Sequence, residues 1–279
     1  MGRWNPQYII RKINSILSST EVVIVETDLG PGFLKAIGNP AGTHCLASEY
    51  VATQLAEWLG LSTLEYGLVD IDADLDDIRL YTGRKAQSGP AFITKLEAGE
   101  PWDGSRTALR MVVNPEEMSK IVVFDTWVIN RDRKSRLMAV TDNVLLSTSH
   151  APKGKLRLVA IDHTHCFVTE ECGRLVDLEK LAKADEPEVY GLFSEFREHL
   201  NRAIIRETSD RLRKMDSGTA SAIVESIPDA WEISRSIRDR WTEQILQRAI
   251  WTATEIEERV LGALFQQRDL GFGKSEDAT

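Results

Sequence analysis

Three oxygen-bearing side chains stand next to apolar runs in the order Asp, Asn, Asp. Asp132 follows an apolar helix end, Asn143 opens a Val-Leu-Leu run, and Asp162 closes a Leu-Val-Ala-Ile run. In phosphoryl transfer, one carboxylate accepts or orients the proton of the attacking hydroxyl, while an amide and a second carboxylate hold Mg²⁺ against the phosphates. Mg²⁺ keeps several waters, so two protein ligands and a nucleotide are enough. The order and strand context therefore predict a kinase, with Asp132 as the catalytic group and Asn143 and Asp162 at the metal.

Each of these residues also has an ordinary structural interpretation. Asp132 could belong to a polar turn at a helix end, and Asn143 and Asp162 could be strand-end caps, a common role of Asn and Asp. Asp125 lies on the apolar face of the preceding helix, where a buried carboxylate needs hydrogen-bond partners. We expect backbone amides of the following loop to supply them, which would make Asp125 a support for that loop.

Lys35 is flanked by apolar residues in a predicted strand, where an ammonium group needs an anionic partner or ligand. Glu49 lies on the next predicted helix and is the candidate partner. A strand Lys held by a helix Glu and reaching nucleotide phosphates is the arrangement of protein-kinase active sites. The alternative is a Lys whose head reaches water and a Glu on a solvated face. Gly30 and Gly32 flank Pro31 in a short turn that is our candidate for the loop covering the phosphates.

The elements that must position these residues follow from hydrophobic periodicity and turn signals. In the first part we predict an amphipathic helix at 5–18, a hairpin turn at 28–32, a helix ending near Gly60, and strands at 21–27, 32–37, 64–71 and 90–96. In the second part we predict a helix from 114 to 130, strands at 143–146 and 156–161, and helices from 185 to 267.

This order of elements indicates an α+β fold with the candidate catalytic and metal-binding residues near the junction of its β-rich and helical parts. We predict a β-rich N-terminal lobe at 1–98, a mostly helical C-terminal lobe at 99–270, and a disordered tail at 271–279. With 279 residues, 42% of them hydrophobic, the chain can bury a substantial core as one domain or as two lobes.

Charge and cysteine content limit the class of protein. A formal net charge of −9 argues against a general nucleic-acid binder, because phosphate neutralisation needs clustered Lys and Arg, but it leaves nucleotide binding open. Three cysteines cannot all pair within one chain, and so few indicate a reducing compartment. No apolar stretch approaches the roughly 18 residues of a membrane span. We therefore expect a soluble, cytoplasmic protein without membrane or nucleic-acid partners.

Spacing disfavours two other metal sites. His163 and His165 would point to opposite faces of an extended segment, and Cys166 and Cys172 are not spaced as a CxxC pair. The alternating aspartates at 70–76 lack the Gly and the Glu that a calcium loop requires at its sixth and twelfth positions.

Several segments between residues 20 and 250 resemble one protein family. Segment 32–49 is similar to a nucleotide-lysine strand with the helix after it, 124–133 to a catalytic segment, and 143–146 and 160–167 to metal-binding strands. On these segments the chain resembles the HipA-like kinases, a bacterial group distantly similar to phosphatidylinositol kinases. Shorter stretches of resemblance are 59–61, 66–69, 88–92 and 227–231.

The resemblance implies a bilobal protein-kinase-like fold, ATP as donor, and a protein Ser or Thr hydroxyl as acceptor. It also implies that Lys35 contacts the phosphates, that Asp132 is catalytic, and that Asn143 and Asp162 hold Mg²⁺. The implied partners are an unidentified protein substrate and a neighbouring regulator. A lipid or small-molecule kinase, or a nucleotide-binding pseudokinase that docks to a partner, stays open as an alternative.

Two departures from the family pattern concern the site. Residues 134–141 are interposed between the catalytic Asp and the metal Asn, and Asp142 is the nearest substitute if Asn143 is not the ligand. Thr164 occupies a position at which the family usually has Gly, which alters local backbone freedom. Neither departure removes a carboxylate that catalysis needs.

Overall fold

The computed structural model describes residues 4–72, 74, 76–133, 143–169 and 175–266. The predictions for the interposed residues 134–141, for Asp142, for Cys172 and for the tail at 271–279 lie outside the described residues.

The first part of the chain forms a five-stranded antiparallel sheet with the strand order β1-β2-β3-β5-β4. β2 and β3 form the predicted hairpin, in which Thr27 pairs with Gly30 and Val23 pairs with Leu34. Alternate residues of β2 point into the core, as expected for a strand covered on one face. The strands are β1 Ile9–Ser15, β2 Val23–Thr27, β3 Gly30–Lys35, β4 Tyr66–Ile71 and β5 Gly89–Lys95.

The helix predicted at 5–18 is wrong, because this segment contains β1. Ile10 and Ile13, which fit a helical stripe, are 56% and 45% exposed and cover no core. The segment instead pairs with β2 as an edge strand, with two irregularities in its register. Isoleucine is β-branched and favours strands, so backbone pairing with β2 prevails over the apparent helical spacing.

The helix that connects β3 to β4 is buried on nearly all sides and joins the two parts of the fold. α1 spans Thr43–Leu59 and ends, as predicted, at Gly60, whose left-handed backbone (φ 81°) closes the last turn. Tyr50, in its middle, packs edge-to-face on Phe92 of β5 and on Trp231 of the helical part. A helix that is apolar all round belongs in a core.

The second part of the chain is mostly helical and includes a small sheet. The helix predicted to begin near Asn114 is α3 Glu116–Val128, and the two predicted strands, β7 Val144–Ser147 and β8 Arg157–Ala160, form a hairpin. No helix in the described part of the chain combines the length and apolar composition of a membrane span. The elements are β6 Gly99–Pro101, β7 Val144–Ser147, β8 Arg157–Ala160, α2 Arg106–Leu109, α3 Glu116–Val128, α4 Arg202–Leu212, α5 Ser217–Glu225 and α6 Arg235–Gln266.

The α+β prediction is confirmed, with an antiparallel sheet first and helices after it. The expectation of nearly continuous helix from 185 is wrong for residues 185–193, which are irregular. The lobe boundary at residue 98 stays a prediction.

Gly191 offers a test of packing beneath the site. Its backbone is left-handed (φ 69°), and a Cβ there would collide with the carboxylate of Asp125. Gly154 has a similar backbone (φ 74°) with nothing within 4 Å of a Cβ, so it is the matched control. Either Ala substitution should cost about 1–2 kcal/mol for the left-handed backbone, and Gly191→Ala about 1–3 kcal/mol more for overpacking. Equal unfolding free energies of the two variants in urea would contradict this packing.

Candidate active site

Lys35 ends β3 inside a group of oxygen atoms. Its Nζ donates to Glu49 Oε2 at 2.7 Å, to Asp162 Oδ1 at 3.0 Å and to Thr164 Oγ1 at 3.0 Å. Lys35 is only 7% exposed. An ammonium has three N–H donors, so these three acceptors satisfy it completely. The structure thus brings together the strand Lys and the helix Glu, and it excludes the solvated alternative for both.

Electrostatics keeps this cluster charged. Burial by itself lowers the pKa of Lys35, but Asp162 and Glu49 outweigh it and raise that pKa above its ordinary value. Burial likewise opposes ionisation of Asp162, but Lys35 and the Thr164 hydroxyl hold the pKa of Asp162 well below its usual range. Burial raises the pKa of Glu49 despite Lys35. Asp162 is therefore ionised at neutral pH.

Glu49 also fixes the segment after β8. Its Oε2 accepts hydrogen bonds from the backbone N–H of His163 at 3.0 Å and from the hydroxyl of Thr164 at 2.9 Å. Asp162 has a left-handed backbone (φ 56°), which turns the chain at this point. Helix α1 therefore sets the position of the residues that follow Asp162.

A second buried cation, Arg133, joins three segments of the helical part. Its guanidinium donates to Asp125 Oδ1 at 2.7 Å, to the carbonyl of Asn143 at 3.0 Å, and to the carbonyl of Ile161. Asn130 also donates to Asp125, at 3.2 Å. Arg133 thereby ties the end of α3 to the start of β7 and the end of β8, the places from which the predicted catalytic and metal residues project.

Asp125 supports this loop, as expected, but through different groups. The predicted partners of its carboxylate were backbone amides, whereas the side chains of Asn130 and Arg133 bind it. Burial outweighs Arg133 and raises the pKa of Asp125 to about 6. Sequence reasoning missed Arg133, although a carboxylate on an apolar helix face signals that a cation must come from nearby.

Asn143 and Asp162 lie at neighbouring ends of the β7–β8 hairpin. Val144 pairs with Ala160, and the N–H of Ile161 donates to the carbonyl of Asn143 at 3.1 Å. The Asp162 side chain is 30% exposed, so it reaches the surface between the two parts. One carboxylate and one amide are oxygen ligands of the kind that Mg²⁺ prefers, and this donor set fits that ion. Their role as metal ligands stays a prediction.

Asp132 lies in the single 3₁₀ turn Arg131–Arg133 that follows α3. The turn is attached to the segment after Asp162, because the N–H of Arg131 donates to the carbonyl of His165 at 3.2 Å. His165 Nε2 lies 3.9 Å from Asp132 Oδ2. His165, which sequence reasoning treated only as a rejected zinc ligand, is thus a neighbour of the predicted catalytic carboxylate.

Gly30 and Gly32 are not beside the site, contrary to the prediction of a phosphate-covering turn. They belong to β3 and pair with Thr27 and Val25, at the end of the strand opposite Lys35. Five residue steps along the strand separate Gly30 from Lys35, a distance of about 17 Å, and three steps separate Gly32 from it, about 10 Å. Because antiparallel strands reverse direction, the connection on the Lys35 side is the β1–β2 loop at 16–22.

A segment of the helical part lies against the start of α1. The N–H of Val176 donates to the carbonyl of Ala41 at 3.3 Å, and that of Leu178 donates to His44 Nδ1 at 2.9 Å. The carboxylate of Asp177 is 3.8 Å from the same ring nitrogen. These contacts form a second bridge between the two parts that sequence reasoning did not foresee.

Comparison with known proteins decides the family. A model described as HipA-like kinase matches residues 32–258. The chain belongs to the HipA-like kinase family. A search of curated proteins finds no match to the chain.

The structure of CtkA supports the fold at low sequence identity, and two further solved structures are less similar. The Helicobacter pylori proinflammatory kinase CtkA is similar with a TM-score of 0.51 and 13% identity, over 87% of this chain and 95% of CtkA. HipA of Shewanella oneidensis, in a structure with HipB and operator DNA, is similar with a TM-score of 0.44 and 12% identity, over 95% of this chain and 68% of HipA. The Mycobacterium tuberculosis PknI kinase domain has a TM-score of 0.27 and 13% identity, over 87% of this chain and 97% of that domain.

Membership confirms the family resemblance and the kinase-like α+β fold. A HipA-like kinase is a phosphotransferase, and its family implies the use of a nucleotide and a divalent metal in general terms.

Removal of the Arg133 cation tests its structural role. Arg133→Met should lower the free energy of unfolding by about 3–5 kcal/mol, because it leaves a buried carboxylate without its partner. The control is Arg206→Met, which removes an exposed Arg that pairs with Glu257 at 2.7 Å and should cost far less, because solvent screens exposed ion pairs. Adding Asp125→Asn to Arg133→Met should recover part of the loss. Equal losses of unfolding free energy in the two single variants, measured by urea unfolding, would contradict the structural role of Arg133.

Acidification should weaken the bridge at His44. Burial lowers the pKa of His44 despite Asp177, so the folded protein favours the neutral ring that accepts from Leu178. A His with a depressed folded-state pKa contributes stability above its unfolded value, about 6.5, and loses it as the pH falls toward the folded-state value. His44→Asn keeps an acceptor but cannot titrate.

Stability of the wild type, followed by urea unfolding from pH 7.5 to 5, should therefore fall more steeply than that of His44→Asn. His150→Asn, at an exposed position, should follow the wild type. A His44→Asn profile as steep as that of the wild type would contradict the bridge.

Proposed function

We propose that this chain transfers the γ-phosphate of ATP to a Ser or Thr hydroxyl of a protein, with Mg²⁺ as the metal. The observation that carries the proposal is the 3.0 Å contact between Lys35 of the β-rich part and Asp162 of the helical part, backed by Glu49. In kinases, the Lys contacts the phosphates and the carboxylate holds the metal that bridges the same phosphates, so both groups must face one site.

The residues on the two sides of this site have separate tasks. Lys35 binds phosphate oxygens, and Glu49 orients the ammonium for that purpose. Asn143 and Asp162 would hold Mg²⁺, which neutralises charge that develops on the phosphates. The oxygen donor set and the exposure of Asp162 support this assignment.

Asp132 is the proposed group that accepts or orients the proton of the acceptor hydroxyl. Its turn is short, follows a buried helix and is tied to the metal-side segment through Arg131 and His165. Such support holds a carboxylate in place while leaving it next to the site, which general-base chemistry requires.

Phosphate incorporation tests this function. Purified wild type with Mg²⁺ and γ-labelled ATP should label itself or a protein of a cell extract, and Asp132→Asn should reduce the rate at least about 100-fold, because a positioned base contributes that much. Lys35→Met should also lose the activity. Asp239→Asn, a neutralised surface carboxylate on α6, is the matched control and should label at the wild-type rate.

Two results would contradict the proposal in different ways. Binding of Mg-ATP without incorporation into any protein would indicate a pseudokinase that acts by docking. Label in lipid or in a small molecule, with none in protein, would overturn the acceptor class and keep the phosphotransferase.

A further inference from the structure

The hydroxyl of Thr164 lies between all three charged groups of the site. Its Oγ1 is 2.7 Å from Asp162 Oδ1, 2.9 Å from Glu49 Oε2 and 3.0 Å from Lys35 Nζ. The residue is 1% exposed, so water does not compete for these contacts. Thr164 is also not among the described residues with a positive φ, so its backbone accepts a side chain without strain. A Gly here would leave all three groups without this hydroxyl.

The hydroxyl can serve only one carboxylate at a time. It has one hydrogen and two lone pairs, and an N–H of Lys35 uses one lone pair. Its hydrogen is within reach of both Asp162 and Glu49, so the donated bond can pass from one carboxylate to the other by rotation of the O–H alone. Thr164 can therefore donate its hydrogen bond to either of the two acids.

The two acids differ in their access to a ligand. The Asp162 side chain is 30% exposed, whereas that of Glu49 is 4% exposed and is held by the N–H of His163. Asp162 would therefore be the acid that holds a metal. In doing so it would no longer accept a hydrogen bond from Lys35. The buried partners, Glu49 and Thr164, would remain.

We propose that Thr164 is a positioning residue that keeps Lys35 bound to Glu49 when the carboxylate of Asp162 turns from Lys35 to a metal. In that state Thr164 donates to Glu49, while Lys35 donates to both. The three side chains then form a closed, buried triangle of hydrogen bonds, and the third N–H of Lys35 is available to a phosphate. This inference rests on the proposed function.

Two substitutions separate the hydroxyl from the shape of the side chain. Thr164→Val keeps the shape and removes the hydroxyl, while Thr164→Ser keeps the hydroxyl. The dissociation constant of ATP is measured calorimetrically on the full chain, once with Mg²⁺ and once with a chelator. Steady-state kcat and KM for ATP are measured beside it.

Thr164→Val should weaken Mg-ATP binding about tenfold or more, the usual effect of one hydrogen bond to a charged group, and should raise KM to match. Without metal its loss should be smaller, because Asp162 still accepts from Lys35. Thr164→Ser should recover most of the affinity. Thr252→Val is the matched control, because Thr252 is a buried Thr of α6 whose hydroxyl has no hydrogen bond among the described residues.

Three results would overturn the inference while leaving the kinase intact: wild-type affinity of Thr164→Val, an equal loss with and without metal, or a Ser variant as weak as the Val variant. If Thr164→Val does not fold, Thr164→Gly replaces it and must show the same metal-dependent loss. A wild type that binds no nucleotide under either condition would instead overturn the proposed function, and this inference with it.

Discussion

A buried ammonium stays charged only if anionic and polar groups surround it, and Lys35 obtains them from both parts of the chain. Glu49 comes from α1, while Asp162 and Thr164 come from the segment after β8. Removing these acceptors would leave an unpaired charge in a site of low polarity, which costs several kcal/mol. The contacts of Lys35 therefore help to hold the sheet, the helix and the segment after β8 in one relative position.

Arg133 performs a similar task within the helical part. It has one carboxylate, Asp125, and two backbone carbonyls as partners, and together these fix the ends of α3, β7 and β8. Buried ion pairs add little net stability, since desolvation offsets most of their attraction. Their value here is geometric, because catalytic groups need support from rigid elements. Two buried cations, one on each side, thus fix the residues that we propose bind the substrates.

The sequence allowed the fold class, most strands and the pairing of Lys35 with Glu49 to be predicted, because these depend on local periodicity and on the needs of one buried charge. The edge strand β1 was missed, since its isoleucines fit two periodicities and only pairing with β2 decides between them. The register that moves Gly30 away from the site is likewise a tertiary property. Arg133 looked like part of a polar turn, because two of its three partners are the backbone carbonyls of Asn143 and Ile161, and side-chain patterns do not reveal such acceptors.

The most direct test is a crystal structure of the full chain with Mg²⁺ and a non-hydrolysable ATP analogue. We expect Lys35 Nζ to donate to a phosphate oxygen while it remains bound to Glu49, and we expect the metal to lie on Asp162 and Asn143. A nucleotide bound elsewhere, or a phosphate group near these acids with Lys35 turned away from it, would contradict the proposed site.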